Sequence, residues 1–125
     1  MASFPGPTFK LFVYGTLMRG GCRHHALADQ TYLGPAVTRP LYLLYHLGDH
    51  PGMVRAETEG QSVQGELYEV ETERLAQLNE LEGAPDWFCL SPVELEGWEP
   101  PIHSYFYQQA NPGLPLCPTG RWSTE

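Results

Sequence analysis

Glycine and proline interrupt this chain so often that the longest stretch without either is residues 66–82. There are thirteen glycines and twelve prolines among 125 residues. Because both residues favour turns and weaken the interiors of helices and strands, their number predicts short strands joined by many turns. Hydrophobic residues make up 42% of the chain, which at this length supplies one core, so we expect a single domain.

Several segments have the patterns of strands. In residues 9–13 the apolar side chains alternate, which places Phe9, Leu11 and Val13 on one face of a predicted strand. A short helix is predicted within residues 22–29. The other extended segments are two within residues 31–47, separated at Arg39 and Pro40, and one each at residues 62–70, 88–95 and 103–107.

Residues 71–82 form the one well-signalled helix. They are strong helix formers, and Gly83 follows at the position where a left-handed residue commonly ends a helix. At about 100° per residue, three leucines form an apolar stripe. These are Leu75, Leu78 and Leu81. Glu82 falls inside this stripe, so a carboxylate is predicted to point toward the core.

Two interpretations of Glu82 remain open from the helix pattern. Burial and the negative end of the helix dipole both raise the pKa of a carboxyl group, which would suit a general base. Alternatively, Glu82 pairs with a neighbouring arginine or stays hydrated at the helix end.

The strand at residues 9–13 runs into a turn that contains no strand pattern. Its first four residues are Tyr14, Gly15, Thr16 and Leu17. Gly15 is expected to let the backbone turn, and successive N–H groups outside a sheet can form a small site for a carboxylate or an oxyanion. We call residues 14–17 the YGTL turn.

The charge and the cysteines exclude several classes of function. Seven basic and fifteen acidic residues give a net charge of −8, which disfavours nucleic acid and anionic lipid as partners. No secretory leader or run of about 20 apolar residues is present, so we expect a cytoplasmic protein without a membrane segment. The cysteines, Cys22, Cys89 and Cys117, have neither disulfide nor metal-site spacing and are interpreted as reduced thiols. The histidines also lack the spacing of a zinc site, so no metal is expected.

Three motifs in order resemble the gamma-glutamyl cyclotransferase-like superfamily. They are VYGTLMRGGCRH, VQGELYEV and LNELEG, and the resemblance extends from Phe9 to about Trp122. It implies an α+β fold, a small mixed, partly closed β-barrel with two short helices. The implied division is a flexible arm at residues 1–8, one domain at 9–122 and a C-terminal end at 123–125. The proline-rich residues 111–125 are interpreted as an extended tail that lies across the body, with Trp122 packed against it.

The resemblance also implies site residues. Glu82 matches the family's catalytic glutamate, the YGTL turn matches its substrate-binding turn, and His24 matches a common histidine after that turn. The two halves are expected to face each other across the mouth of the fold. Phe88 and Tyr107, with Tyr105 and the tail, are expected to form the walls around the amine half of the substrate.

The implied reaction releases 5-oxoproline and a free amine from a small-molecule γ-glutamyl amine or γ-glutamyl amino acid. Glu82 would take a proton from the α-ammonium group, and the freed amine would attack the γ-amide carbonyl of the same molecule. No cofactor or metal is required. The length and the YGTL motif favour the small γ-glutamylamine type, and a monomer or weak homodimer is expected.

The sequence departs from the family pattern at three positions near the proposed base. Asn79 replaces an aspartate, Phe88 a tyrosine and Leu90 an arginine. The last two changes remove a phenol and a guanidinium that could orient a substrate or Glu82. A non-catalytic module that binds a γ-glutamyl-like or carboxylate ligand is therefore the alternative function. A second alternative uses Cys22 as a thiol nucleophile with His24 as its base.

Overall fold

The computed structural model describes residues 6–111 and 113–122, and within them the chain forms seven β-strands, one α-helix and two short 3₁₀ segments. The strands are β1 (Thr8–Val13), β2 (Thr31–Val37), β3 (Tyr42–His46), β4 (Pro51–Arg55), β5 (Gln64–Glu71), β6 (Phe88–Pro92) and β7 (His103–Tyr107). The helix is α1 (Leu75–Glu82), and the 3₁₀ segments are His24–Ala26 and Thr72–Arg74.

Five strands form one mixed sheet in the order β2-β5-β1-β7-β6, and β3 pairs with β4 in a separate antiparallel hairpin. Strand β1 lies at the centre, antiparallel to β5 and parallel to β7. The α+β fold class is therefore confirmed, but the predicted partly closed barrel is not, because β2 and β6 end the described sheet. A single bridge between Thr38 and Leu95 joins the segments that follow these edge strands.

The two faces of β1 pack against different parts of the molecule. Leu11 and Val13 belong to a buried cluster that also contains Leu78 of α1, and Phe9 packs against it. Phe12 points to the other side, into a cluster shared with the β3–β4 hairpin. This alternation is the predicted one. It brings α1 and the hairpin to opposite sides of β1, and the turn after β1 emerges between them.

The predicted helix at residues 71–82 is correct at its end and wrong at its start. Glu71 continues β5 opposite Thr8, and its N–H donates to Gln30 Oε1. The α-helix begins only at Leu75, after the 3₁₀ segment. At the other end Gly83 has φ of 67°, and the Gly83 and Ala84 N–H groups bond to carbonyls of the last turn. This is the expected glycine stop.

The short helix predicted within residues 22–29 is present, but only as one 3₁₀ turn. Of residues 22–29, only His24–Ala26 are helical, as one 3₁₀ segment. Backbone bonds from Arg23 N–H to the Thr16 carbonyl and from His24 N–H to the Gly21 carbonyl hold this stretch against the turn. Such short-range bonds favour tight turns over a continuing α-helix.

The ends of the described chain are bound to the body. Strand β1 begins at Thr8, inside the predicted N-terminal arm, and the Pro7 carbonyl accepts from the Thr72 N–H. In the tail, the Cys117 N–H donates to the Leu44 carbonyl, and the Trp122 ring packs 5.0 Å from the His46 ring. The expectation that the tail lies across the body is confirmed for residues 111 and 113–122, the part of it that the structure describes. The predictions for residues 1–5 and 123–125 lie outside the described residues.

No helix in the described part of the chain is both long and apolar enough to cross a membrane.

Candidate functional site

A pocket lies where the YGTL turn meets the end of α1. It has a volume of about 380 Å³, including its open mouth. Six of the seven residues predicted for the site line it: Tyr14, Gly15, Thr16, Leu17, Glu82 and Phe88. Residues 14–17 and residue 82 are far apart in the sequence, so the fold of β1 against α1 is what brings them together.

The YGTL turn presents unused backbone donors. Its shape is held by bonds from Met18 N–H to the Gly15 carbonyl and from Arg23 N–H to the Thr16 carbonyl. Within residues 6–111 and 113–122, the N–H groups of Gly15, Thr16 and Leu17 have no acceptor in the protein. Because buried backbone donors are normally paired, three adjacent free ones at a pocket wall favour a negatively charged or carbonyl oxygen as their acceptor.

Glycine is required at residue 15 for a different reason from the predicted one. Gly15 does not have a positive φ; among the described residues of this stretch, Gly20 has it, at 88°. A Cβ on Gly15 would instead lie 2.7 Å from Cγ and Cδ of Pro51, far inside van der Waals contact. A Cβ on Gly21 would collide with the Thr16 carbonyl. These glycines allow close approach of neighbouring segments.

Glu82 points into the pocket from the last residue of α1, and 10% of its side chain is exposed. Burial raises the pKa of the Glu82 carboxyl above its ordinary value, and the positive charge of Arg23 partly opposes this shift. Arg23 Nη1 lies 3.6 Å from Glu82 Oε2 and donates to the Leu81 carbonyl at 2.8 Å. Glu82 therefore has both features considered above, a nearby arginine and a raised pKa.

The Tyr14 hydroxyl is fully used inside the protein. It donates to the Tyr105 carbonyl at 2.6 Å and accepts from the Met53 N–H at 3.1 Å. Burial raises its pKa strongly. Tyr14 therefore joins β4 to β7 beneath the pocket, and its ring rather than its hydroxyl is the part available to a ligand.

Tyr107 does not line this pocket. It lines an adjoining groove together with Phe88, and the two ring centroids are 5.3 Å apart. Tyr105 does line the pocket, and its hydroxyl donates to Asn79 Oδ1 at 2.6 Å. The asparagine at residue 79 thus accepts a hydrogen bond that ties α1 to β7.

His24 and Cys22 are not among the residues that line the pocket. His24 Nδ1 lies 3.0 Å from the Leu17 carbonyl, so the Nδ1–H tautomer braces the turn from behind. Cys22 lines a different surface groove. The described residues contain no group of three or more His, Cys, Asp or Glu side chains placed to hold a metal ion.

Five lining residues were not predicted as site residues. They are Phe12 and Val13 at the end of β1, and Arg23, His50 and Pro51. Arg23 belongs to the short helix predicted within residues 22–29, and His50 and Pro51 lie outside every predicted strand and helix. His50 and Pro51 reach the pocket because the start of β4 packs against the YGTL turn. The sequence carries no local signal for this packing.

The mixed sheet and its few helices place the chain among small α+β proteins with a sheet-rich core. The model of the family described as "Gamma-glutamyl cyclotransferase, AIG2-like" matches residues 11–124. The chain belongs to this family.

Known proteins are similar over most of the chain. A putative gamma-glutamylcyclotransferase of Vibrio cholerae is 38% identical over 90% of this chain and 93% of its own length. A gamma-glutamylaminecyclotransferase of Rattus norvegicus is 35% identical over 71% of this chain and 66% of its own. The crystal structure of an AIG2-like protein of Mus musculus superposes with a TM-score of 0.78 at 26% identity, covering 93% of this chain and 88% of the other.

Proposed function

We propose that this protein is a gamma-glutamyl cyclotransferase that converts a γ-glutamyl amine or γ-glutamyl amino acid into 5-oxoproline and the free amine. Glu82 is the general base, and the YGTL turn binds the γ-glutamyl group. The relatives named for this activity support the proposal. The observation that carries it is the meeting of a buried carboxylate with three free backbone donors in one pocket.

In the proposed reaction Glu82 removes a proton from the substrate α-ammonium group. The free α-amine then attacks the γ-amide carbonyl carbon, and a C–N bond forms that closes the five-membered ring. The negative charge on the carbonyl oxygen is the charge that backbone N–H groups stabilise well. The ring nitrogen, which still carries two protons, gives up one of them as the original amide C–N bond breaks. The leaving nitrogen takes up this proton and the one that Glu82 had removed, and departs as an ammonium ion. No atom or electron is left over, and no cofactor takes part.

The environment of Glu82 suits this role. Its carboxylate must be ionised to accept a proton, yet basic enough to do so near neutral pH, and burial raises its pKa in that direction. Because nucleophile and carbonyl belong to one molecule, orientation supplies much of the acceleration. The protein must then hold the substrate and receive the proton, which a turn and one carboxylate can do without the missing phenol and guanidinium.

The test is to incubate the protein with γ-glutamyl amines and γ-glutamyl amino acids and to measure 5-oxoproline. Glu82→Gln should lower kcat by about 10²–10⁴-fold while the circular dichroism spectrum is unchanged. Glu73→Gln is the matched control, because Glu73 is exposed in the segment before α1 and should retain full activity.

The alternative function, a binding module, predicts a different outcome. The wild-type protein would bind a γ-glutamyl compound but form no 5-oxoproline from it. Glu82→Gln would then behave as the wild-type protein does. That result would contradict the proposed catalytic role of Glu82.

A further inference from the structure

A groove adjoins the proposed active-site pocket at Glu82. Four residues line both cavities: Arg23, His50, Glu82 and Phe88. A molecule with its γ-glutamyl group against the YGTL turn and its amide at Glu82 would therefore extend its other half into this groove. We call it the Trp87 groove, after the indole on its wall.

The wall of the Trp87 groove is mainly aromatic and aliphatic. Trp87 is 57% exposed, and the Phe88 and Tyr107 rings stand next to each other in the same wall. Leu47 and Leu114 extend the apolar surface. Phe88 is buried, and Leu47, Tyr107 and Leu114 are half-buried, so the exposed indole of Trp87 lies beside a partly buried apolar wall. Such a wall at a pocket mouth is typical of a ligand contact.

Trp87 is fixed in place although its indole is exposed. The backbone N–H of Trp87 donates to the Gly83 carbonyl, and the backbone carbonyl of Trp87 accepts from the Gln108 N–H, each at 2.9 Å. Its side chain also lies close against Gly83, where an added Cβ would approach the indole Cδ1 to 3.0 Å. The ring is thus held immediately beyond Glu82, so contact with it costs a ligand little ordering of the protein.

The charges in the groove disfavour a carboxylate on the leaving group. Glu80 and Glu82 both line it. Among its described lining residues, Arg23 is the only permanent cation, and it is already engaged by the Leu81 carbonyl and by Glu82. Of the two histidines in the lining, His50 is paired with Asp49 and His46 accepts from the Gly48 N–H. A second carboxylate would therefore meet two like charges and no free guanidinium partner.

We propose that the Trp87 groove binds the amine half of the substrate and selects amines that have an aromatic or long apolar body and no carboxylate. This inference rests on the proposed cyclotransferase function. The amide bond breaks at Glu82, the leaving amine takes its proton there, and the product amine leaves along the indole of Trp87.

Three synthetic substrates separate the two features of the proposal. γ-Glutamyl-phenethylamine and γ-glutamyl-phenylalanine share the same ring and differ in one carboxylate, whereas γ-glutamyl-methylamine lacks the ring. We expect kcat/KM for the phenethylamine derivative to exceed that of each of the others by about tenfold or more, the scale on which pocket contacts discriminate substrates.

Trp87→Ala should lower kcat/KM for γ-glutamyl-phenethylamine by about tenfold and change that for γ-glutamyl-methylamine by less than about twofold. Leu41→Ala is the control, because Leu41 is an exposed leucine outside both cavities, and it should leave the preference intact. Similar kcat/KM values for the three substrates, or an equal loss for all of them in Trp87→Ala, would overturn the inference and leave the cyclotransferase function standing.

Binding keeps the inference testable if turnover fails. Glu82→Gln should bind γ-glutamyl-phenethylamine at least about tenfold more tightly than the other two compounds in calorimetric titrations. Equal affinities would overturn the inference. Preferential binding without 5-oxoproline from the wild-type protein would instead contradict the proposed catalytic function and support the selectivity of the groove.

Discussion

The two sides of the pocket are built from different chemistry. The YGTL turn presents main-chain N–H groups, and its shape depends on glycines that let Pro51 and the neighbouring backbone approach. The end of α1 presents one side chain, Glu82, on a helix whose course is set by Leu78 in the core and by the Gly83 stop. A site of this kind should respond in opposite ways to mutation. A substitution in the turn can only displace the backbone N–H groups by changing the course of the chain. A substitution of Glu82 can remove the carboxylate and leave the course of the chain unchanged.

The largest effect expected on the turn side comes from Gly15→Ala. The new Cβ would lie 2.7 Å from Pro51 atoms, so the turn must shift. We expect a loss of about 1–3 kcal/mol in the free energy of unfolding and a fall of about a hundredfold in kcat/KM from misplaced donors. Urea unfolding and a 5-oxoproline assay measure the two effects.

Gly6→Ala is the control for that substitution, because a Cβ on Gly6 would meet nothing within 4 Å. It should behave as the wild-type protein does. If Gly15→Ala is equally harmless, the close approach of Pro51 does not define the turn, and the contrast between the two sides of the pocket is lost.

Beneath the turn, Tyr14→Phe should act on stability. It leaves the buried Met53 N–H and the Tyr105 carbonyl without their partner, which costs about 1–3 kcal/mol. The measurement is the free energy of unfolding in urea. Tyr45→Phe, which removes a hydroxyl with no hydrogen-bond partner in the described residues, should change it by less than about 0.5 kcal/mol. Equal effects of the two substitutions would contradict the anchoring role of Tyr14.

The smallest effect expected is the change in the free energy of unfolding caused by Glu82→Gln on the helix side, and this change depends on pH. Because the pKa of Glu82 is higher in the folded state than its ordinary value of 4.5, the protonated form is the one that folding favours. The corresponding stability is present at low pH and is lost as the pH rises through the folded-state pKa. Glu82→Gln resembles the protonated form at every pH, so its advantage over the wild-type protein should grow with rising pH.

Urea unfolding of both proteins between pH 4 and pH 8 measures this difference. An advantage of the wild-type protein that increases with pH would mean that Glu82 is stabilised as an anion by Arg23, and its proposed role as a raised-pKa base would be wrong.

Local patterns predicted the bounds of several elements. Strand β7 has the predicted bounds, residues 103–107, and Gly83 ends α1 as expected. The start of the helix could not be predicted, because Glu71 joins β5 through pairing with Thr8, which is distant in the sequence. The barrel expectation came from the family resemblance, and the described strands instead form an open sheet and a hairpin.

The parts of the site that belong to a single helix or strand could be predicted from the sequence. The helix period alone showed that Glu82 points inward, and the alternation of β1 located the turn. Arg23, His50 and Pro51 enter the pocket only through packing between segments. The involvement of the Tyr14 hydroxyl in two buried hydrogen bonds likewise depends on strands β4 and β7, which the residues around Tyr14 do not reveal.

The most direct test is a crystal structure of Glu82→Gln with an intact γ-glutamyl amine bound. The account predicts one molecule across both sides of the pocket, with an oxygen of its γ-glutamyl group within about 3.1 Å of the backbone nitrogens of Gly15, Thr16 or Leu17. Its α-amino nitrogen should contact the side chain at residue 82. A substrate bound with its α-amino group away from residue 82 and its oxygens away from the turn would contradict the account.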